Sequence, residues 1–310
     1  MSKKQLDTVV IKIGTSVVTD ENGKINTKVI HSIVEQIAKN REKAKNFVIV
    51  TSGAIACGIS KLKLNVTPDK LSLNYKQMCA AVGQPILMNY YSRYFERHGI
   101  LVAQVLLTEE DLANKYRYEN LWKTLKTFFS RGIIPILNEN DTLSVKELVP
   151  VNPYVPEEVR FGDNDRLSAI IASKIRADLL IILTNVDGFM TFNKNGKATL
   201  VKEIKKINNK IKSSIGSGSK FGRGGMKTKL EAAIIAKRAG VKVVIANGKK
   251  RNTISKVLLG ERGQYQVQKA LQVCATLKAT RRLFLWAVPT KCCAGLLLSI
   301  STVASYHQTK

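Results

Sequence analysis

A lysine sits inside an apolar run, Val10-Ile11-Lys12-Ile13, and Gly14-Thr15-Ser16 follows it directly. Burying an ammonium among aliphatic side chains is costly unless it meets an anion. A Gly-Thr-Ser turn frees backbone N–H groups in the geometry that cradles phosphate. The same lysine on a sheet edge would only snorkel to water. Further on, Gly162-Asp163-Asn164-Asp165-Arg166 opens a helical stretch with two carboxylates around an amide. One such side chain suffices for an N-cap, which leaves the others to orient lysines or a magnesium-bound phosphate. A third segment carries Gly216, Gly218, Gly222, Gly224 and Gly225, and brings Arg223, Met226, Lys227, Thr228 and Lys229 to the mouth of another helical stretch. A glycine-rich loop feeding a helix N-terminus suits phosphate.

Three more polar clusters end apolar runs. Thr51-Ser52-Gly53-Ala54 can hold a carboxylate or phosphate on backbone N–H groups, or simply cap a helix. Asn138-Glu139-Asn140-Asp141 offers more polar groups than one cap needs, and could bind an ammonium group or the metal of a metal–nucleotide. Thr184-Asn185-Val186-Asp187-Gly188 could accept a base or ribose, or be an ordinary turn. Neither GxGxxG nor GxxxxGK[ST] occurs. His31, His98 and His307 are scattered, and Cys57, Cys79, Cys274, Cys292 and Cys293 form no CxxC pair, so neither a metal centre nor a cysteine nucleophile is expected.

The charge is lopsided. Residues 1–200 hold 27 basic and 20 acidic side chains, whereas 201–310 hold 23 basic and three acidic ones. Such a half suggests an anionic partner, whether nucleotide phosphate, nucleic acid or an anionic membrane. Hydrophobic residues make up 45% of the chain, too many for a disordered one. With no signal-like N-terminus, a soluble protein of a reducing, cytoplasmic compartment is expected. The apolar stretch 283–304 is interrupted by Pro289 and Lys291, which makes a poor membrane span.

The elements that must position these clusters alternate. Residues 8–13, 47–51, 101–107, 133–137, 179–184 and 242–246 are continuous Val/Ile/Leu runs, the pattern of parallel strands covered on both faces. Between them, Ile30, Ile33, Val34 and Ile37 repeat at helical spacing after Asn26-Thr27, and 75–95, 109–130, 164–175 and 226–239 read as helices. This is an α/β fold with a mainly parallel sheet. Every cluster falls at the C-terminal end of a strand or the start of the helix after it, where open α/β sheets bind ligands. Residues 142–161, with three prolines, read as a long excursion. The alternation stops near residue 260.

The order Lys12-Ile13-Gly14-Thr15-Ser16, Thr51-Ser52-Gly53-Ala54, Ala81-Val82-Gly83-Gln84, Asn138-Glu139-Asn140-Asp141, Gly162-Asp163-Asn164-Asp165 and Gly224-Gly225-Met226-x-x-Lys229 resembles the glutamate 5-kinases of the amino acid kinase superfamily. The resemblance covers about residues 8–260. It implies a three-layer α/β/α sandwich around a central, mainly parallel sheet of about eight strands. It also implies ATP-dependent phosphorylation of the γ-carboxylate of L-glutamate, the first step of proline synthesis, with Mg²⁺ arriving on the nucleotide and proline as a feedback inhibitor. A homo-oligomer is expected. By the same resemblance, Lys12 and Lys229 flank the transferring phosphoryl group and Asp165 orients them. Ser52, Asp141 and Asn164 hold glutamate. Lys12, Gly14, Thr184, Asn185, Arg223, Gly224, Gly225, Met226, Lys227, Thr228 and Lys229 line the ATP site.

Three features depart from that family. Asn185 stands where it usually has Asp, residues 142–161 are longer and richer in proline, and 261–310 form a basic tail too short for the RNA-binding-like PUA domain that often follows. The organisation expected is thus a kinase domain over 1–260 and a tail over 261–310. A nucleic-acid-binding protein is the alternative for the basic half, but it has few aromatics for stacking and no RNA motif. A kinase-like chain without catalysis is opposed by the intact Lys12, Asp165 and Lys229.

Overall fold

The structure is a computed structural model and describes residues 5–143, 163–192, 198–201 and 225–260. All of them lie in the first of the two units into which the chain divides, Met1–Ala270. The six apolar runs form six strands: β1 (Leu6–Ile13), β2 (Ala44–Val50), β3 (Val102–Leu107), β4 (Ile134–Glu139), β5 (Leu179–Thr184) and, last in the chain, β8 (Lys242–Asn247). They build one sheet in the order β3-β4-β2-β1-β5-β8. Every pairing in it is parallel. Two short strands, β6 (Phe189–Phe192) and β7 (Ala198–Val201), pair antiparallel in a separate sheet. The central sheet therefore has six strands among the described residues rather than about eight. The extra pair follows the Asp187-Gly188 turn and forms its own sheet, with Phe189 in the core beside Leu180 and Ile182.

Both faces of the sheet are covered, which is why its strands lack polar alternation. On one side Val9, Ile11, Ile13, Ile49, Ile181 and Val244 pack against helices α1 (Thr15–Val18), α2 (Thr27–Lys39), α3 (Ala54–Lys61), α4 (Leu73–Glu96) and α9 (Thr253–Leu259). On the other, Val10, Val48, Leu180, Ile182 and Val243 pack against α5 (Glu109–Ala113), α6 (Lys115–Ser130), α7 (Asn164–Lys174) and α8 (Met226–Arg238). This is the three-layer α/β/α sandwich. The period of two along β1 puts Lys12 on the face of Val10, toward α7 and α8. The helix expected over 109–130 is broken at Asn114, whose side chain accepts from Arg117 N and starts α6 afresh.

Helices α3 and α4 touch backbone to backbone. A Cβ on Gly83 would overlap the Ala54 carbonyl and Gly58 N, and one on Gly58 would overlap the Cys79 carbonyl. The glycines thus set how deep α4 lies, and with it where buried Gln84 and Tyr91 point. Among the described residues no helix is long and apolar enough to cross a membrane. The tail 261–310, most of the excursion 142–161 and the loop before Gly225 lie outside them.

Gly83→Ala is expected to destabilise the protein by about 1–3 kcal/mol through this overpacking, read as a lower urea midpoint at unchanged m-value.

Candidate active site

β1, α7 and α8 meet at one carboxylate. Asp165 is fully buried. Its Oδ1 lies 2.6 Å from Lys12 Nζ and its Oδ2 lies 3.1 Å from Lys229 Nζ. Thr228 Oγ1 lies 3.0 Å from Oδ2 and 2.9 Å from the Gly225 carbonyl. Lys12 and Lys229 are themselves buried. Burial alone would raise the Asp165 carboxyl, but the two ammonium groups outweigh it and hold the acid at about 2, against an ordinary 3.8. It is ionised at any physiological pH. The shared carboxylate holds both ammonium groups within hydrogen-bond reach of one buried point.

The local sequence explains the convergence. Asp163 is the N-cap of α7: its Oδ1 accepts from Asp165 N at 2.9 Å and Arg166 N at 3.0 Å. That frees Asn164 and Asp165 for other partners, as their number suggested. Gly14 is the buried N-cap of α1, with Lys12 Nζ 3.3 Å from where its Cβ would be, so the absence of a side chain keeps the space beside the ammonium open. Gly225 caps α8 and directs that helix's N-terminus, where partial positive charge concentrates, toward the same centre.

A second cluster lies at the ends of β2 and β4. Asn164 Nδ2 is 2.8 Å from the Thr51 carbonyl, 3.0 Å from Ser52 Oγ and 2.9 Å from Asn138 Oδ1. Asn138 Nδ2 donates to Gln84 Oε1 at 2.9 Å. Below them, the Tyr91 hydroxyl meets Thr51 Oγ1 at 2.9 Å. Ser52 and Asn164 are therefore together, one residue from the charged centre. Asp141 sits in the turn after β4, and Asn138 is the residue of its motif that joins this network.

Of the remaining predicted residues, Thr184 is buried and Asn185 exposed at the end of β5. Met226 packs against the core, and Lys227 is exposed on the first turn of α8. Arg223 and Gly224 lie outside the described residues. Three residues of the site region were not singled out from sequence. Gln84 and Asn138 stood inside quoted motifs without a role. Asn247, whose Nδ2 is 3.0 Å from Asp187 Oδ1, follows the buried run of β8, and the strand-end rule used for the other strands would have found it. Lys250 Nζ is 2.7 Å from the same oxygen. Burial pushes the Cys57 thiol up to about 12 and Cys79 up as well, so neither supplies a thiolate. Among the described residues no cluster of His, Cys, Asp or Glu could hold a metal ion.

Residues 7–247 match the model of the amino acid kinase family, and the chain belongs to that family. Within it, the chain is 43% identical over 253 residues to the glutamate 5-kinase of Clostridium acetobutylicum, covering 81% of this chain and 90% of that one. It is 41% identical over 259 residues to the glutamate 5-kinase of Caldanaerobacter subterraneus subsp. tengcongensis, covering 82% of this chain and 66% of that one. Several of the relatives are thus longer, and this chain spans about 66% of them. Among solved structures, the carbamate kinase from Giardia lamblia bound to AMP-PNP aligns with a TM-score of 0.57 at 18% identity over 85% of this chain and 98% of its own. The UMP kinase from Ureaplasma parvum aligns with a TM-score of 0.54 at 16% identity over 84% and 98%. These likenesses establish the amino acid kinase fold.

Asp165→Asn removes the carboxylate that two buried ammonium groups share, and a loss of about 3–5 kcal/mol at neutral pH is expected. Because the folded carboxyl lies below its ordinary value, its stabilisation is complete above about pH 4 and fades as pH falls toward 2. The gap between wild type and variant in denaturant titrations should therefore narrow over that window.

Proposed function

We propose that this chain transfers the γ-phosphoryl group of ATP to the γ-carboxylate of L-glutamate, forming L-glutamyl 5-phosphate and ADP. The observation that carries the reading is the Lys12–Asp165–Lys229 centre at the C-terminal edge of the sheet, in a chain 40–43% identical to glutamate 5-kinases. A carboxylate oxygen attacks the γ-phosphorus, and the bond to the bridging β–γ oxygen breaks. The electrons of that bond leave on ADP. The nucleophile is already ionised, so no general base is needed and no proton moves, which accords with the absence of a histidine from the described site.

The difficulty of the step is electrostatic, an anion approaching an anion. Two fixed ammonium groups reduce that repulsion and stabilise charge on the equatorial oxygens, at no reorganisation cost because Asp165 already holds them. ATP enters as its Mg²⁺ complex, so the metal belongs to the substrate. The N-terminus of α8, Gly14 and the ends of β5 and β8 take the triphosphate and nucleoside, together with Arg223 and Gly224. That the fold neighbour carbamate kinase binds AMP-PNP supports a nucleotide here. Ser52, Asn164 and Asp141 take glutamate. On this reading the chain works in proline synthesis in the cytoplasm, as a homo-oligomer restrained by proline. Residues 1–260 form the kinase domain and 261–310 a separate basic tail.

The test is hydroxamate trapping of the acyl phosphate with glutamate, aspartate and acetylglutamate. Glutamate should be the preferred substrate, and Lys12→Ala and Lys229→Ala should each lower kcat by about a thousandfold or more, in line with loss of a buried charge stabiliser. Full activity in both variants would overturn the mechanism.

A further inference from the structure

Two buried polar atoms in the amide network have no hydrogen-bond partner, Gln84 Nε2 and Asn164 Oδ1. Backbone groups determine which end of each amide is which. Glu139 N–H donates to one end of the Asn138 amide at 2.9 Å, so that end is oxygen and the other is nitrogen. The Asn138 nitrogen meets Gln84 at 2.9 Å, so the atom it meets is Gln84 Oε1. The atom left over is Nε2, a donor. In the same way the Thr51 carbonyl requires the Asn164 nitrogen at 2.8 Å, which leaves Oδ1, an acceptor.

Gln84 is 7% exposed. A buried donor without a partner is costly, and native proteins keep one where a ligand or water completes it. A donor and an acceptor left over in one connected network match an amino acid's carboxylate and ammonium groups. The reacting carboxylate must reach the lysine centre around Asp165, whereas Gln84 lies on the far side of Asn138 from Asn164, on α4. On the glutamate reading above, we infer that Gln84 is a substrate-binding residue whose Nε2 donates to the carboxylate that is not phosphorylated, and thereby selects an α-amino acid with a free α-carboxylate. Gly83 supports this placement, because its close approach to α3 sets the depth of the next residue.

Steady-state kinetics on the whole chain distinguish this from a merely structural glutamine. Gln84→Glu keeps an oxygen acceptor for Asn138 but turns the free donor into an acceptor. The glutamate KM should rise about tenfold or more, with ATP KM unchanged. With glutamate α-amide, whose NH₂ can donate to the new carboxylate, the rise should stay within about threefold. If the Gln84→Glu protein does not fold, Gln84→Ala is read by the same ratio, with the larger KM penalty expected for the acid. An unchanged glutamate KM in Gln84→Glu, or equal penalties for acid and amide, overturns the inference. Wild-type protein that does not phosphorylate glutamate overturns the substrate reading itself, a separate result.

Discussion

A carboxylate with no exposed surface between two buried ammonium groups is the constraint to which this fold answers. Each of the three charges would be prohibitive alone in the interior, and each is tolerable only because the others are within reach. Lys12 comes from the central strand, Asp165 from the first turn of α7 and Lys229 from the first turn of α8. Their meeting fixes the pitch of two helices against the sheet. It also explains why α7 needs an independent cap: with Asp163 satisfying the helix N–H groups, Asp165 stays free to face the lysines. The placement of the two ammonium groups is then a property of the packing, present before any ligand arrives.

How much of this was legible in the sequence depends on the range of the interaction. The six central strands were plain, because strands buried on both faces must be continuously apolar. β5 lies on the expected residues, and the other strands differ at one or both ends by at most three, as at β2, which begins at Ala44 rather than Phe47. β6 and β7 left no trace, since four-residue strands that put little more than Phe189 and Val201 into the core need no apolar run. The break at Asn114 was hidden because a polar cap can interrupt a helical pattern without disturbing the spacing of its apolar residues.

The site divides along the same line. Its charged half was readable because a lysine in a buried strand and two acids at one helix start are expensive, and expense restricts the explanations. Its neutral half was readable only in part: the resemblance singled out Ser52 and Asn164, whereas Gln84 and Asn138 were given no role. Asn138, Asn164 and Gln84 are individually ordinary, and only their meeting from β4, α7 and α4 gives them meaning. Gln84 in particular follows a glycine whose importance lies in a contact with α3, some 25 residues earlier in the chain, which no local pattern encodes.

The amides Asn138, Asn164 and Gln84 carry no net charge of their own, and on the proposed reading that has a use. On that reading the site joins two anions and must keep them in order, and a cation among the amides would attract a triphosphate there as strongly as the lysines would attract it to its own place. An amide carries no net charge to compete for phosphate, yet it can donate one hydrogen bond in a direction set by its own partners. The backbone N–H of Glu139 orients Asn138, Asn138 orients Gln84, and the Thr51 carbonyl orients Asn164. Direction in this network is thus inherited from the backbone at the ends of β2, the strand beside the one that carries Lys12, and of β4 beyond it. Position of charge and direction of hydrogen bonding are both set by one register of parallel strands, so a shift in that register would disturb both ends of the site together.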